Sequence, residues 1–269
     1  MLAWLLACAF HVPAPAGGEP ADLPLAAHPE DTARPYATWD GRLWFVDTGA
    51  SRTTCDDDLV AALGLPVRET AARSRGAVGT VRLGRVVLRD VEIGGWRFRR
   101  LPCAVRDLDT TSSVPGDVAG ILGANLFRHF TVAIDFRGGR ARLLRERVEG
   151  GARLARERLV GPRLVARMTV EGERVRAIID TGADRTYLPL EVGEEVLRYE
   201  GVRQGTGPGG SRKVEVVVRR VRDARVGEVA VPLEGYLAWD GDVGLLGMDV
   251  LGEGVVAVDF PGRRLVVGE

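Results

Sequence analysis

The sequence predicts an all-β protein of two pseudo-symmetric lobes, with short helices and a cleft where the lobes meet. Three observations predict it. The stretch Asp47-Thr48-Gly49-Ala50-Ser51-Arg52-Thr53 returns as Asp180-Thr181-Gly182-Ala183-Asp184-Arg185-Thr186, identical at six of seven positions. A second block, Gly120-Ile121-Leu122-Gly123-Ala124-Asn125, returns as Gly244-Leu245-Leu246-Gly247-Met248-Asp249. Each copy then runs without a gap into Ala133-Ile134-Asp135-Phe136 or Ala257-Val258-Asp259-Phe260. Finally, β-branched and aromatic runs punctuated by Gly, Asp and Arg dominate the chain. The period far exceeds the roughly 20–50 residues of a solenoid unit, so it indicates duplicated lobes.

In chain order, Met1 to Phe10 is apolar and Ala14-Pro15-Ala16 has the form of a small-residue cleavage site. Residues 1–16 therefore read as a signal peptide or lipoprotein-type leader, although a basic n-region is missing. Leu5-Leu6-Ala7-Cys8 has the form of a lipobox, in which Cys8 would carry a lipid and tether the protein to a membrane. The reading that follows is export to a periplasmic or extracellular space, free or lipid-anchored. An ordinary disordered terminus is the alternative. Residues 17–35 are Ala/Pro-rich and read as a linker.

The first lobe is placed at 36–146 and the second at 161–269. Between them, residues 147–160 form a charged interlobe linker around Gly150-Gly151. Strands are expected at Val81 to Leu88, Val91 to Ile93, Trp96 to Phe98, Val132 to Phe136, Leu164 to Val170, Val175 to Ile179, Val214 to Val221 and Val255 to Phe260. Asp56-Asp57-Asp58 ahead of Leu59-Val60-Ala61-Ala62-Leu63 predicts a helix start, because acids suit the positive end of the dipole. Leu126-Phe127 and Val250-Leu251 are expected to form helical turns after the glycine blocks, and a short helix is expected after Pro189. Aligning the lobes sets Cys55 over Leu188 and Cys103 over Leu233. These positions suit buried thiols acting as small hydrophobes, or a disulfide if the protein is exported.

Composition excludes several functions. Formal net charge is zero, which gives no electrostatic case for nucleic acid. The Arg run from Arg137 to Arg158 is interleaved with Glu146, Glu149 and Glu157 and reads as a solvated face. Gly205-Thr206-Gly207-Pro208-Gly209-Gly210 fits a dinucleotide-binding pattern formally, but a strand follows it where that motif needs a helix. His11, His28 and His129 are scattered, so neither a metal site nor a Ser-His-Asp triad is supported. No cofactor and no metal are expected.

The repeated turn carries the chemistry. A carboxylate on a tight turn after a buried strand, present twice, allows two acids to share one site. Like charges there cannot both ionise cheaply, which splits them into a general acid and a general base. Gly49 and Gly182 allow a close backbone approach to those carboxylates.

The two Asp-Thr-Gly turns and two apolar-apolar-Gly blocks resemble the signature motifs of the aspartic peptidases that include retropepsins and pepsins. The resemblance covers roughly residues 36–268, and the lobes look like two retropepsin-type units fused in one chain. It implies two β-barrel lobes and a monomer that is an intramolecular pseudo-dimer. By the same resemblance the protein is an aspartic endopeptidase of an exported or membrane-anchored bacterial type, acting on a peptide or protein substrate. Asp47 and Asp180 would activate a water. Thr48 and Thr181 would bond across the lobe boundary, and Ile121, Leu122, Gly123, Leu245, Leu246 and Gly247 would pack behind the turns. Flap candidates are Gly76, Val78 and Gly79 in one lobe and Gly205, Gly207 and Gly209 in the other. Where pepsin-like sequences often carry a hydroxyl after the glycine, this chain has Ala50 and Ala183, which implies a less acidic optimum than pepsin's. A catalytically silent peptide- or protein-binding module on the same fold is the alternative function.

Overall fold

The computed structural model describes the chain except residues 1–9, 77–78, 110–113, 157–160, 190–191, 193–195, 208–209, 234, 240–241, 253 and 269. The first lobe holds β1 (Gly17–Gly18), β2 (Leu23–His28), β3 (Asp31–Trp39), β4 (Arg42–Val46), β5 (Thr54–Asp56), α1 (Asp57–Ala62), β6 (Arg68–Gly76), β7 (Gly79–Ile93), β8 (Trp96–Arg106), β9 (Val118–Leu122), α2 (Ala124–Phe127), β10 (Thr131–Asp135) and β11 (Arg140–Leu144). β12 (Ala152–Arg156) leads into the second lobe. There follow β13 (Leu164–Val170), β14 (Glu173–Ile179), β15 (Tyr187–Pro189), β16 (Val196–Gly207), β17 (Gly210–Arg220), β18 (Ala224–Val226), β19 (Val229–Ala230), β20 (Gly235–Trp239), β21 (Gly244–Leu246), α3 (Met248–Leu251), β22 (Val255–Asp259) and β23 (Arg264–Gly268).

Local chemistry sets these elements. The β3–β4 hairpin turns on Asp40-Gly41 and the β13–β14 hairpin on Glu171-Gly172. Both residues of each turn have positive φ, the geometry that two-residue hairpins favour. In α1 the Asp56 carboxylate accepts from the Asp58 N–H at 3.1 Å, Asp57 and Asp58 occupy the first turn, and Leu59 and Val60 are buried. The runs expected as separate strands at Val81 to Leu88 and Val91 to Ile93 form one strand, β7, paired with β6 at its start and with β8 from Gly84 to Ile93.

Both lobes repeat one path. β4 runs into the Asp47 turn and the chain returns as β5. β9 lies between them, parallel to β4 (Phe45↔Ile121, Val46↔Leu122) and antiparallel to β5 (Thr54↔Ile121). In the second lobe β21 lies between β14 and β15 in the same way (Ile178↔Leu245, Ile179↔Leu246, Tyr187↔Leu245). The apolar pair of each glycine block therefore sits directly beside the strand that delivers the turn. Gly123 is then needed for space, because an added Cβ would lie 2.6 Å from the Arg52 carbonyl carbon and oxygen and 3.0 Å from the Ala50 carbonyl oxygen. Gly247 is hemmed in likewise by the carbonyls of Arg185 and Ala183.

A six-stranded antiparallel sheet, β2-β11-β10-β22-β23-β12, joins the lobes. At its centre Ala133 pairs with Ala257, each the repeat counterpart of the other, so the pseudo-twofold passes through this pair. The core runs across the join, with the Phe127 and Phe260 rings 5.8 Å apart.

Two segments expected as linkers are built into sheets. Residues 17–35 contain β1, β2 and the start of β3, while residues 147–160 contain β12, which pairs with β13 and β23. Main-chain pairing at a sheet margin asks little of side chains, so an Ala/Pro-rich or charged composition does not oppose it. Phe10 and Val12, inside the expected leader, are buried, and the Ala16 N–H donates to the Arg97 carbonyl at 2.7 Å. Cys8 lies outside the described residues, as does the segment after Pro189 expected as a helix, apart from Val192. Cys55 and Cys103 are buried free thiols. No helix among the described residues is long and apolar enough to cross a membrane.

Replacing Gly123 by Ala should lower unfolding stability by about 1–3 kcal/mol, because backbone must move to admit the methyl. Chemical denaturation measures it, and a change within about 0.3 kcal/mol would contradict this account of the packing.

Candidate active site

Asp47 and Asp180 each follow the last residue of a central strand, where a buried apolar run ends and the chain must reverse. Their backbones are fixed in parallel ways. The Asp47 N–H donates to the Leu122 carbonyl at 3.1 Å and the Asp180 N–H to the Leu246 carbonyl at 3.0 Å. The carbonyls of Ala50 and Ala183 then accept from Ala124 and Met248 at 2.8 and 2.9 Å, which tethers the far side of each turn to the glycine block.

Thr48 and Thr181 lock the turns to each other. The Thr181 hydroxyl accepts from the Thr48 N–H at 3.0 Å and donates to the Val46 carbonyl at 2.7 Å. The Thr48 hydroxyl accepts from the Thr181 N–H at 3.1 Å and donates to the Ile179 carbonyl at 2.8 Å. Both threonines are fully buried, so these four bonds form without competition from water.

The lock brings the carboxyls together. An added Cβ at Gly182 would lie 2.6–2.7 Å from the Asp47 carboxyl atoms, and one at Gly49 would overlap the Asp180 carboxyl. Each acid thus sits on the turn glycine of the opposite lobe, close enough for each carboxyl to act on the other's ionisation. Asp47 Oδ1 accepts from the Ala50 N–H at 2.7 Å, and Asp180 Oδ1 accepts from the Gly182 N–H at 2.8 Å.

Burial pushes both acids above the ordinary carboxylate range. For Asp47 the rise is opposed by the Ala50 N–H, by the neighbouring Asp180 carboxyl, by the Gly49 N–H and by the Arg34 charge. Asp180 is raised well above its ordinary value, by burial first and the Asp47 charge second, with only the Gly182 N–H and Arg163 opposing. Two acids placed this way ionise one at a time and titrate as a pair. Both side chains stay partly exposed to the cleft, so a water can reach them.

Sequence reasoning missed two sets of residues here. Arg34 reaches from the first lobe to the Gly182 carbonyl and Arg163 from the second lobe to the Gly49 carbonyl, each at 3.2 Å. Continuing the hairpin registers by two residues sets Arg34 opposite Asp47 and Arg163 opposite Asp180. They are therefore symmetry counterparts, each crossing to the other lobe's turn. Arg34 also donates to Asp31 at 2.5 Å and lies 5.0 Å over the Phe45 ring. The second set is Thr53 with Asn125 and Thr186 with Asp249. The Thr53 hydroxyl accepts from the Gly123 N–H at 3.3 Å and donates to Asn125 at 2.9 Å. The Thr186 hydroxyl accepts from the Gly247 N–H at 3.1 Å and donates to Asp249 at 2.7 Å. Identity at the seventh turn position was the available signal for this set.

Gly76 pairs with Gly79 at the end of the β6–β7 hairpin, and Gly207 pairs with Gly210 at the end of the β16–β17 hairpin, which also contains Gly205. Val78 and Gly209 lie outside the described residues. The cavity over the acid pair measures about 240 Å³ and takes Leu83 of the first hairpin into its wall. Among the described residues, no group of three or more His, Cys, Asp or Glu could hold a metal ion.

A family model described as aspartyl protease matches the chain twice, over residues 42–126 and 166–250. No curated protein matches the sequence. Among solved structures, basic 7S globulin from soybean is similar over 91% of this chain and 93% of its own, at 13% identity and a TM-score of 0.47.

Acids whose folded pKa values are raised cost stability as pH rises, since the unfolded carboxylates ionise first. That stability is fully present below the unfolded value of about 4 and is lost as pH climbs through the folded values. Asp180→Asn removes the loss. It should raise the melting temperature at pH 7 by about 2 °C or more, with the gain shrinking below about pH 4. An equal effect at both pH values, followed by calorimetry, would contradict the raised pair.

Proposed function

The chain belongs to the aspartyl protease family, and from that premise we propose that it is an endopeptidase that hydrolyses peptide bonds with a water held between Asp47 and Asp180. The observation that carries this reading is the placement of two half-buried acids, one from each lobe, each seated on the opposite turn glycine. A fold kept only for binding has no use for so costly a pair, because desolvating two carboxyls opposes their ionisation.

The chemistry follows from one proton shared by the pair. The ionised acid takes a proton from the water as its oxygen forms the new bond to the scissile carbonyl carbon. The protonated acid gives its proton to the carbonyl oxygen, leaving a neutral gem-diol. The first acid then passes its proton to the leaving nitrogen as the C–N bond breaks, and the second recovers a proton from the diol. No covalent enzyme intermediate forms. The threonine lock supports this by fixing the separation of the acids, and the crossing arginines hold the glycine carbonyls in place. Two complete halves in one chain support a monomer.

Incubation of the protein with a mixed peptide library from about pH 3 to pH 7 should yield internal cleavages that pepstatin suppresses. Asp47→Asn and Asp180→Asn should each lose about 10²- to 10⁴-fold in kcat/KM. Full activity in either variant would end the paired mechanism. Neither Ala50 nor Ala183 can donate a hydroxyl hydrogen bond to stabilise an ionised acid, and burial raises both groups. The optimum should therefore lie above the ordinary carboxylate value of about 4. A profile peaking near pH 2 would contradict this.

A further inference from the structure

Four arginines line the cavity over the acid pair: Arg34, Arg52, Arg106 and Arg163. Two of them are committed to the frame. Arg34 is held by Asp31 and the Gly182 carbonyl, and Arg163 donates to the Gly49 carbonyl. Arg106 and Arg52 are not. Arg106 ends β8, with its Nε buried and without a hydrogen-bond partner. The carboxylates around it act on it only through space. Asp56 is occupied by the Leu108 and Asp58 N–H groups, Asp47 by its own turn and Asp180, and neither these nor Asp107 ion-pairs with Arg106. The Arg52 guanidinium lies 5.2 Å over the Phe10 ring, and no carboxylate among the described residues ion-pairs with it.

A half-buried guanidinium with an orphaned N–H is costly unless an acceptor arrives from outside. Its fork suits a carboxylate. The remaining wall is small or apolar, with Ala104, Val114 and Ile121. We propose that Arg106, with Arg52 on the adjoining wall, forms a subsite for an acidic side chain, so that the preferred substrate carries Asp or Glu next to the scissile bond. This rests on the peptidase reading above and adds the substrate class. Binding of the substrate carboxylate satisfies the orphaned donor and neutralises cleft charge. The matching amide offers a weaker acceptor, and a lysine side chain brings like charge against the arginines.

The test uses fluorogenic peptides that differ only in carrying Glu, Gln or Lys at the residues flanking the cleaved bond. The expected kcat/KM for Glu exceeds that for Gln by roughly tenfold, the scale of a charged hydrogen bond, with Lys poorest. Arg106→Gln should bring the Glu/Gln ratio close to one, and Arg106→Glu should turn the preference toward Lys. Arg52→Gln should shrink the ratio in part, and it keeps the test decisive if the Arg106 variants fail to fold. A wild-type ratio near one at every flanking position, or a ratio that Arg106→Gln leaves intact, overturns the subsite. Calorimetry of the Glu and Gln peptides on Asp180→Asn separates the two claims. If wild type cuts the Gln peptide as fast as the Glu peptide, the subsite falls and the peptidase stands. If nothing is cut yet the Glu peptide binds about tenfold tighter, the peptidase falls and the subsite stands.

Discussion

The closure of one lobe on the other at the Thr48–Thr181 lock governs everything at the site. Four buried hydrogen bonds across the pseudo-twofold hold two turns in a fixed relation, and the turns carry the acids. Neither lobe can satisfy the threonine N–H groups alone, so each lobe completes the other. The interlobe sheet does the same work at larger scale, with Ala133 on Ala257 at its centre. Glycine at 49 and 182 then lets each carboxyl rest against the opposite backbone, where burial makes double ionisation unfavourable. Geometry set by hydrogen bonds is thereby converted into proton affinity.

Much of this was legible in the sequence because duplication exposes it. Asp47, Thr48 and Gly49 reappear at 180–182, and the Gly123 block reappears at Gly247. The turns, the strands behind them and the helical turns that follow are readable from those repeats. Less legible were the segments whose role comes from pairing and not from composition. β1, β2 and β12 sit in Ala/Pro-rich or charged sequence, and Pro24 and Pro35 lie within paired strands, where proline argues against a strand. Their partners supply the order that their side chains do not announce.

The crossing arginines were missed for a different reason. Arg34 and Arg163 stand at unequal sequence distances ahead of their aspartates, so alignment from the turns alone does not match them. They become equivalent only through the hairpin turns at Asp40-Gly41 and Glu171-Gly172, which fix the register of β3 on β4 and of β13 on β14. Reading those turns first places each arginine opposite its acid. A formal net charge of zero also hides that the cleft gathers four guanidiniums around two acids. Local sign, not total charge, decides what the cleft can hold.

The most direct test of the shared proton is a carboxyl-carbon NMR titration of Asp47 and Asp180 in the intact protein. The account predicts coupled, displaced curves, with the pair retaining one proton well above the ordinary aspartate value, and a downward move of the Asp180 curve when Asp47 is replaced by Asn. Two independent curves near about 4, each indifferent to replacement of the other, would contradict it.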